Sequence, residues 1–267
     1  MLANVTTFSV PKRGSQPEEC EDASWVGPDG SGAGDFEIGS LRIVVADGAS
    51  ESLLAGRWAR RLSSSFGTGK NPTRVKSGFI ATYFAAVDEW TREMAEYQAD
   101  REERGVPIQW FEEPGLTKGA HATVVVVEFL EGQQGAPSFW KAAAVGDSCV
   151  FQVRDEKLLA SFPMQEVGAF SHQPPLLSSR GGENEVIRRH VRLTSGDLDH
   201  EDSFYIVTDA LAAWFLRLAH AGGRPWEPLR DMNTMDFNVD FESWVNSQRE
   251  EGGMDNDDTT LVRIDLY

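Results

Sequence analysis

An α+β layered fold with a largely antiparallel sheet is what this sequence predicts, on three observations. Segments with strand character outnumber helical ones. They do not alternate with helices one for one, which argues against a doubly wound parallel sheet. The stretch HATVVVVEFL (121–130) is an unbroken, mostly β-branched run, the pattern of a strand buried on both faces.

The elements follow in order. The first 40 residues are polar and turn-rich, with short apolar stretches. Within them a Gly-rich loop, GPDGSGAGDFEIGS (27–40), joins DASWVG to FEIGSLRIVVAD. It is no phosphate-binding loop, because no Gly-Lys-Ser/Thr follows. Residues 51–66 read as a helix, with Leu54, Trp58 and Leu62 recurring every four residues. A longer helix is expected over 73–103, carrying an apolar stripe of Phe79, Tyr83, Phe84, Val87, Trp90 and Met94 and ending before Gly105 and Pro107. Residues 138–159 read as two strands joined at Gly146-Asp147-Ser148, and 186–197 as a strand running into a turn. Residues 203–223 read as strand, aspartate, helix. Residues 240–253 form an amphipathic helix stopped by glycine, and 257–267 a closing strand. No repeat or linker divides the chain, so 1–267 is read as a single domain.

Composition narrows the function classes. The 42 acidic residues outweigh 25 basic ones, for a formal net charge of −17. Such a surface repels nucleic acid and anionic membrane. Carboxylates in this number suit hard divalent cations. The two cysteines, Cys20 and Cys149, make no CxxC pair, and a reduced, cytoplasmic setting is expected. No run reaches the roughly 18 apolar residues of a membrane span. The histidines (His121, His172, His190, His200, His220) form no HExxH pair. GDLDHED (196–202) lacks the glycine and glutamate of a calcium loop.

One feature recurs. Asp47 ends LRIVVA, Asp147 follows AAAVG, Asp209 follows FYIVT, Asp257 precedes TTLVRI, and Asp22 lies just before a short strand. Each alone has an ordinary reading. Asp47-Gly48 suits a turn, Asp147 a hairpin corner, Asp209 a helix cap and Asp257 a polar loop. Together they place carboxylates at strand ends, where rigid scaffolds carry function. If they converge, their mutual repulsion calls for cations such as Mg²⁺ or Mn²⁺.

The ordered set ED (21–22), VVADGAS (44–50), GAHATVVVV (119–127), AAAVGDSCVF (143–151), YIVTDAL (205–211) and DDTTLVRI (257–264) resembles the type-2C, metal-dependent protein serine/threonine phosphatases, in their divergent single-domain bacterial branch. The resemblance implies a four-layer αββα sandwich, two central antiparallel sheets flanked by helices. It implies two Mn²⁺ or Mg²⁺ ions at one edge, with room for a third. Asp47 matches the carboxylate bridging both ions and Gly48 the residue whose carbonyl binds one. Asp209 and Asp257 match further ligands, Glu21 and Asp22 the acidic pair holding metal-bound water, and Asp147 the ligand of the third ion. Asp47, Asp209 and Asp22 are thereby the catalytic set. The implied reaction is hydrolysis of phosphoserine or phosphothreonine in proteins by a hydroxide bridging two ions about 3.5–4 Å apart.

The chain departs from the family pattern at Pro17, where members carry a phosphate-gripping arginine, and at Ser50 and Ala210, where glycine is usual. Lys12 and Arg13 are the candidates to replace the arginine. The expected partner is a phosphorylated protein met by a monomer. The alternatives are a pseudophosphatase that binds without hydrolysis and a hydrolase of small phosphorylated metabolites.

Overall fold

The computed structural model describes residues 1–30, 32–132, 135–170, 173–232 and 237–267; His172 lies outside them. The strands are β1 (Leu2–Val10), β2 (Ala23–Val26), β3 (Gly34–Glu37), β4 (Arg42–Ala46), β5 (His121–Ala122), β6 (Val124–Leu130), β7 (Phe139–Val145), β8 (Cys149–Arg154), β9 (Lys157–Phe162), β10 (Leu177–Ser178), β11 (Arg192–Asp197), β12 (Ser203–Val207) and β13 (Thr259–Leu266). The helices are α1 (Ala55–Thr68), α2 (Lys76–Glu103), α3 (Glu113–Lys118), α4 (Asn184–His190), α5 (Asp209–His220), α6 (Trp226–Asp231) and α7 (Phe237–Glu250).

Two large sheets form the centre. One has the order β3-β1-β13-β12-β8-β9, the other β11-β7-β6-β4-β2, and every pairing is antiparallel. Strand periodicity explains why they stack as inner layers. On β6, Val125 and Val127 face the other sheet, while Val124 and Val126 face α1 and α2. On β12, Phe204 and Ile206 point between the sheets, and Tyr205 and Val207 point to α5 and α7. Each strand is therefore apolar at consecutive positions. The expected four-layer αββα sandwich is present.

Aromatic packing ties the sheets together. Phe204 is fully buried, with its ring edge-on to Phe129 at 5.0 Å and to Trp140 at 5.7 Å across the interface. The Trp140 indole donates to Gln152 Oε1 (3.0 Å), and Gln152 donates to Asp202 (2.9 Å). Asp202 in turn accepts from Arg154, so the polar groups buried here are satisfied.

Several elements differ from the sequence reading. The first ten residues are not a turn-rich lead-in but a central strand, β1, paired with both β13 and β3. Its apolar set changes face along its length. Ala3 and Val5 enter the inter-sheet core, whereas Phe8 and Val10 pack under α7, with Phe8 4.9 Å from Phe241. Neither face is apolar throughout, which hides the alternation. Residues 184–190 form α4, and only 192–197 pair as strand β11. The second strand of 138–159 breaks at Asp155-Glu156, both with positive φ, and returns as β9. The helix expected from residue 51 starts at Ala55, after Leu54 in a left-handed conformation.

Truncating Phe204 removes the ring that bridges the sheets. Phe204→Ala is expected to lower stability by about 4 kcal/mol, read from urea unfolding. A loss below about 1 kcal/mol would contradict this account of the core.

Candidate metal centre

Antiparallel pairing explains how distant aspartates meet. Strand starts and ends alternate along one edge of each sheet. Ala23 pairs with Ala46, so Asp22, before β2, lies beside Asp47, after β4. Val207 pairs with both Cys149 and Leu261. Residue 209 after β12, 147 before β8 and 257 before β13 therefore share the corresponding edge. Asp47, Gly48, Asp147, Asp209 and Asp257 line one cavity of about 560 Å³.

The turn after β4 is stitched in place. Thr123 N–H donates to the Asp47 carbonyl (2.8 Å) and Ala49 N–H to the His121 carbonyl (2.9 Å), while Gly48 bridges Ala122. Gly48 is required by proximity, because a Cβ there would meet the carbonyl of Glu21 and the backbone of Ala55 at 2.8 Å. Gly146 is required by conformation, with φ +106. Ser50 makes a positive contact: its hydroxyl donates to Glu21 Oε2 at 2.5 Å. Ala210 is the second residue of α5, where helical backbone accepts alanine without strain. His121, read as structural, lines the cavity, and its backbone N–H donates to Ser52 Oγ.

Asp22 lies outside the cavity lining and is almost wholly buried. Its Oδ2 accepts from the Thr208 hydroxyl (3.1 Å). Thr208 is the cap residue of α5, and Asp209 is therefore the first helical residue rather than the cap. Glu21 turns to Lys12, whose Nζ is 3.3 Å from Glu21 Oε2 and 2.9 Å from Ser50 Oγ. Of the two replacements weighed for the missing arginine, Lys12 reaches this edge. Arg13 is drawn off to Glu250 and Asn246 of α7.

Asp258 is the residue the sequence reading passed over. It is 4% exposed. One carboxylate oxygen accepts Lys12 N–H and the other Glu21 N–H, each at 2.7 Å. It staples the segment carrying Glu21 and Asp22 to the start of β13. The adjacent Asp257-Asp258 pair was its only signal, with one side chain turned to the cavity and the next to backbone donors.

The electrostatics follow from burial and crowding. Burial raises the Asp47 carboxyl well above its usual range, and repulsion from Asp22, Asp209, Asp257 and Asp147 adds to it. Asp22 is raised by burial, with Asp258 and Asp209 contributing. Asp209 is pushed up to about 7 by burial, then by Asp147 and Asp257, and Asp147 to about 6, mainly by burial. Burial also raises Asp257.

These residues fit hard divalent cations. The donors are all oxygen, as Mg²⁺ and Mn²⁺ prefer. Asp22 Oδ1 and Asp147 Oδ1 are buried and have no hydrogen-bond partner among the described residues, a costly condition in a folded interior. Among the described residues, no three or more His, Cys, Asp or Glu side chains are drawn together tightly enough to grip a metal ion.

No protein-family model and no curated protein matches the chain. Solved structures do. The Mycobacterium tuberculosis serine/threonine phosphatase PstP/Ppp aligns over 100% of this chain and 99% of its own, with TM-score 0.57 and 14% identity. The catalytic domain of PstP in complex with two manganese ions matches over 100% and 99%, with TM-score 0.55 and 14% identity. The PPM Ser-Thr phosphatase MsPP from Mycobacterium smegmatis, in complex with cacodylate, matches over 99% and 98%, with TM-score 0.55 and 17% identity. The chain has the type-2C fold of the PPM serine/threonine phosphatases.

The raised carboxyls set a pH dependence. The folded state holds protons to higher pH than the unfolded chain, so this contribution is full below the ordinary 3.8. It is lost as pH rises through the about 7 of Asp209. In EDTA, stability is expected to fall between about pH 5 and 7.5, with a shallower fall in Asp209→Asn. Urea unfolding across that range measures it, and an equal slope in both proteins would count against the assignment.

Proposed function

We propose that this protein is a metal-dependent phosphatase acting on phosphoserine or phosphothreonine in proteins. The observation that carries the reading is the cavity walled by Asp47, Asp147, Asp209 and Asp257 at one edge of a type-2C sandwich. Asp47 would hold Mn²⁺ or Mg²⁺ ions at this edge. The Gly48 carbonyl, Asp209 and Asp257 would complete their protein ligands, Glu21 and Asp22 would hold coordinated water, and Asp147 would serve a third ion. Bound there, the ions would supply a nucleophilic water at neutral pH and neutralise phosphate charge.

The chain's own residues support this chemistry. Thr208 orients Asp22 through its hydroxyl, and itself accepts Thr260 N–H (2.9 Å). The carboxylates sit within two residues of strand ends or open α5, so the sheets fix the edge at which they lie. A covalent thiol route is disfavoured. Burial raises Cys20 to about 11, with Asp22 contributing, and burial also raises Cys149. Both stay protonated and poorly nucleophilic.

The test is phosphate release from a phosphothreonine peptide with and without Mn²⁺. The wild type should require the ion, and Asp47→Asn and Asp209→Asn should each lose about a hundredfold or more in kcat/KM. Undiminished activity in both variants would refute the reading. Mn²⁺ binding without turnover would point to a pseudophosphatase instead.

A further inference from the structure

We propose that Lys118 is the residue that grips the phosphoryl group entering the acidic cavity; this rests on the phosphatase reading and extends it to a residue outside the aspartate set. The argument begins with charge. The cavity lining carries five carboxylates, on Asp47, Glu51, Asp147, Asp209 and Asp257, and Lys118 is its one lysine or arginine among the described residues. A phosphoryl dianion needs donors on the oxygens turned away from the carboxylates, and an unneutralised ammonium at the mouth supplies them.

The other basic groups nearby are engaged or lie outside this lining. Lys12 is held by Glu21 and Ser50, Arg13 by Glu250, and Arg57 and Arg61 by Glu93 and Glu89. Arg180 lies across Gly119, where a Cβ would meet its Cγ at 2.5 Å, and it lines the neighbouring hollow rather than this cavity. The hydroxyls of the lining are also committed: Ser50 donates to Glu21, Ser52 to the Ala49 carbonyl, and Thr123 pairs with Ser148. Lys118 is exposed and has no ion pair or side-chain hydrogen bond among the described residues.

Its anchor is nonetheless firm. Lys118 is the last residue of α3, and Gly119 follows with φ +83, its N–H bonded to the Gly115 carbonyl at 3.0 Å. Ala120 and Ser179 then exchange two hydrogen bonds, at 2.9 and 2.8 Å. A rigid base carries a flexible four-carbon stem at the rim of the cavity, so the ammonium can follow a phosphoryl group inward without losing a partner.

The experiment compares wild type, Lys118→Met, Lys118→Arg and Lys12→Met at saturating Mn²⁺. Inorganic phosphate binding is read by calorimetry, and KM and kcat with the phosphothreonine peptide. Lys118→Met should weaken phosphate binding and raise KM about tenfold while kcat changes little, and Lys118→Arg should recover most of the loss. Phosphate binding within about twofold of wild type in Lys118→Met overturns the proposal. So does a wild type that takes up no phosphate, or a loss confined to Lys12→Met. Turnover by the wild type with Lys118→Met unchanged defeats this inference and leaves the phosphatase reading intact. Phosphate binding that depends on Lys118, without turnover, does the reverse.

Discussion

Repulsion among buried carboxylates is the constraint around which this structure is arranged. Asp22, Asp47, Asp147, Asp209 and Asp257 are gathered at one edge of the sandwich, and burial and their neighbours raise each of them toward the protonated form. Such a cluster opposes folding unless protons or cations neutralise it. The rest of the molecule has to hold it against that force. It does so with three apolar cores, one between the sheets and one beneath each helical layer.

The restraint at the edge itself is polar. Asp258 binds two backbone N–H groups from the N-terminal segment. Arg249, from α7, donates to the carbonyls of Pro11 and Asp257 and to the Thr259 hydroxyl. One buried cation thus clamps the ends of β1 and β13 beside the acidic cavity. The Lys12–Glu21–Ser50 contacts do the same for the turn after β4. Hydrogen bonds to ionised groups are among the stronger ones available in a protein, and here they fall where like charges push apart.

The departures from the family pattern become intelligible at this level. Serine at residue 50 adds a bond to Glu21 instead of leaving a gap. Alanine at residue 210 enters a helix that tolerates it. Residue 17 is proline, and positive charge near the site is supplied by Lys12, Lys118 and Arg249.

Much of the architecture was legible in the sequence, because strands covered on both faces write continuous apolar runs. LRIVVA, HATVVVV and FYIVT are such runs, each ending at or flanked by a polar punctuation residue. β1 was not legible, since its apolar residues divide between two cores along a single strand. Nor was α4, because VIRRHVRL alternates like a strand until its first half is seen to turn as a helix. The sequence by itself determined which residues are carboxylates, that they lie at strand ends, and that the strands between them are apolar. Only the tertiary structure decided that they share one edge, because antiparallel register brings the end of one strand beside the start of its neighbour. It also decided which member of the Asp257-Asp258 pair faces the cavity, and that Lys12 is neutralised while Lys118 is left free. The Asp258 choice rests on partners more than 200 residues away, and Lys118 is placed by a helix end that no spacing in the chain announces.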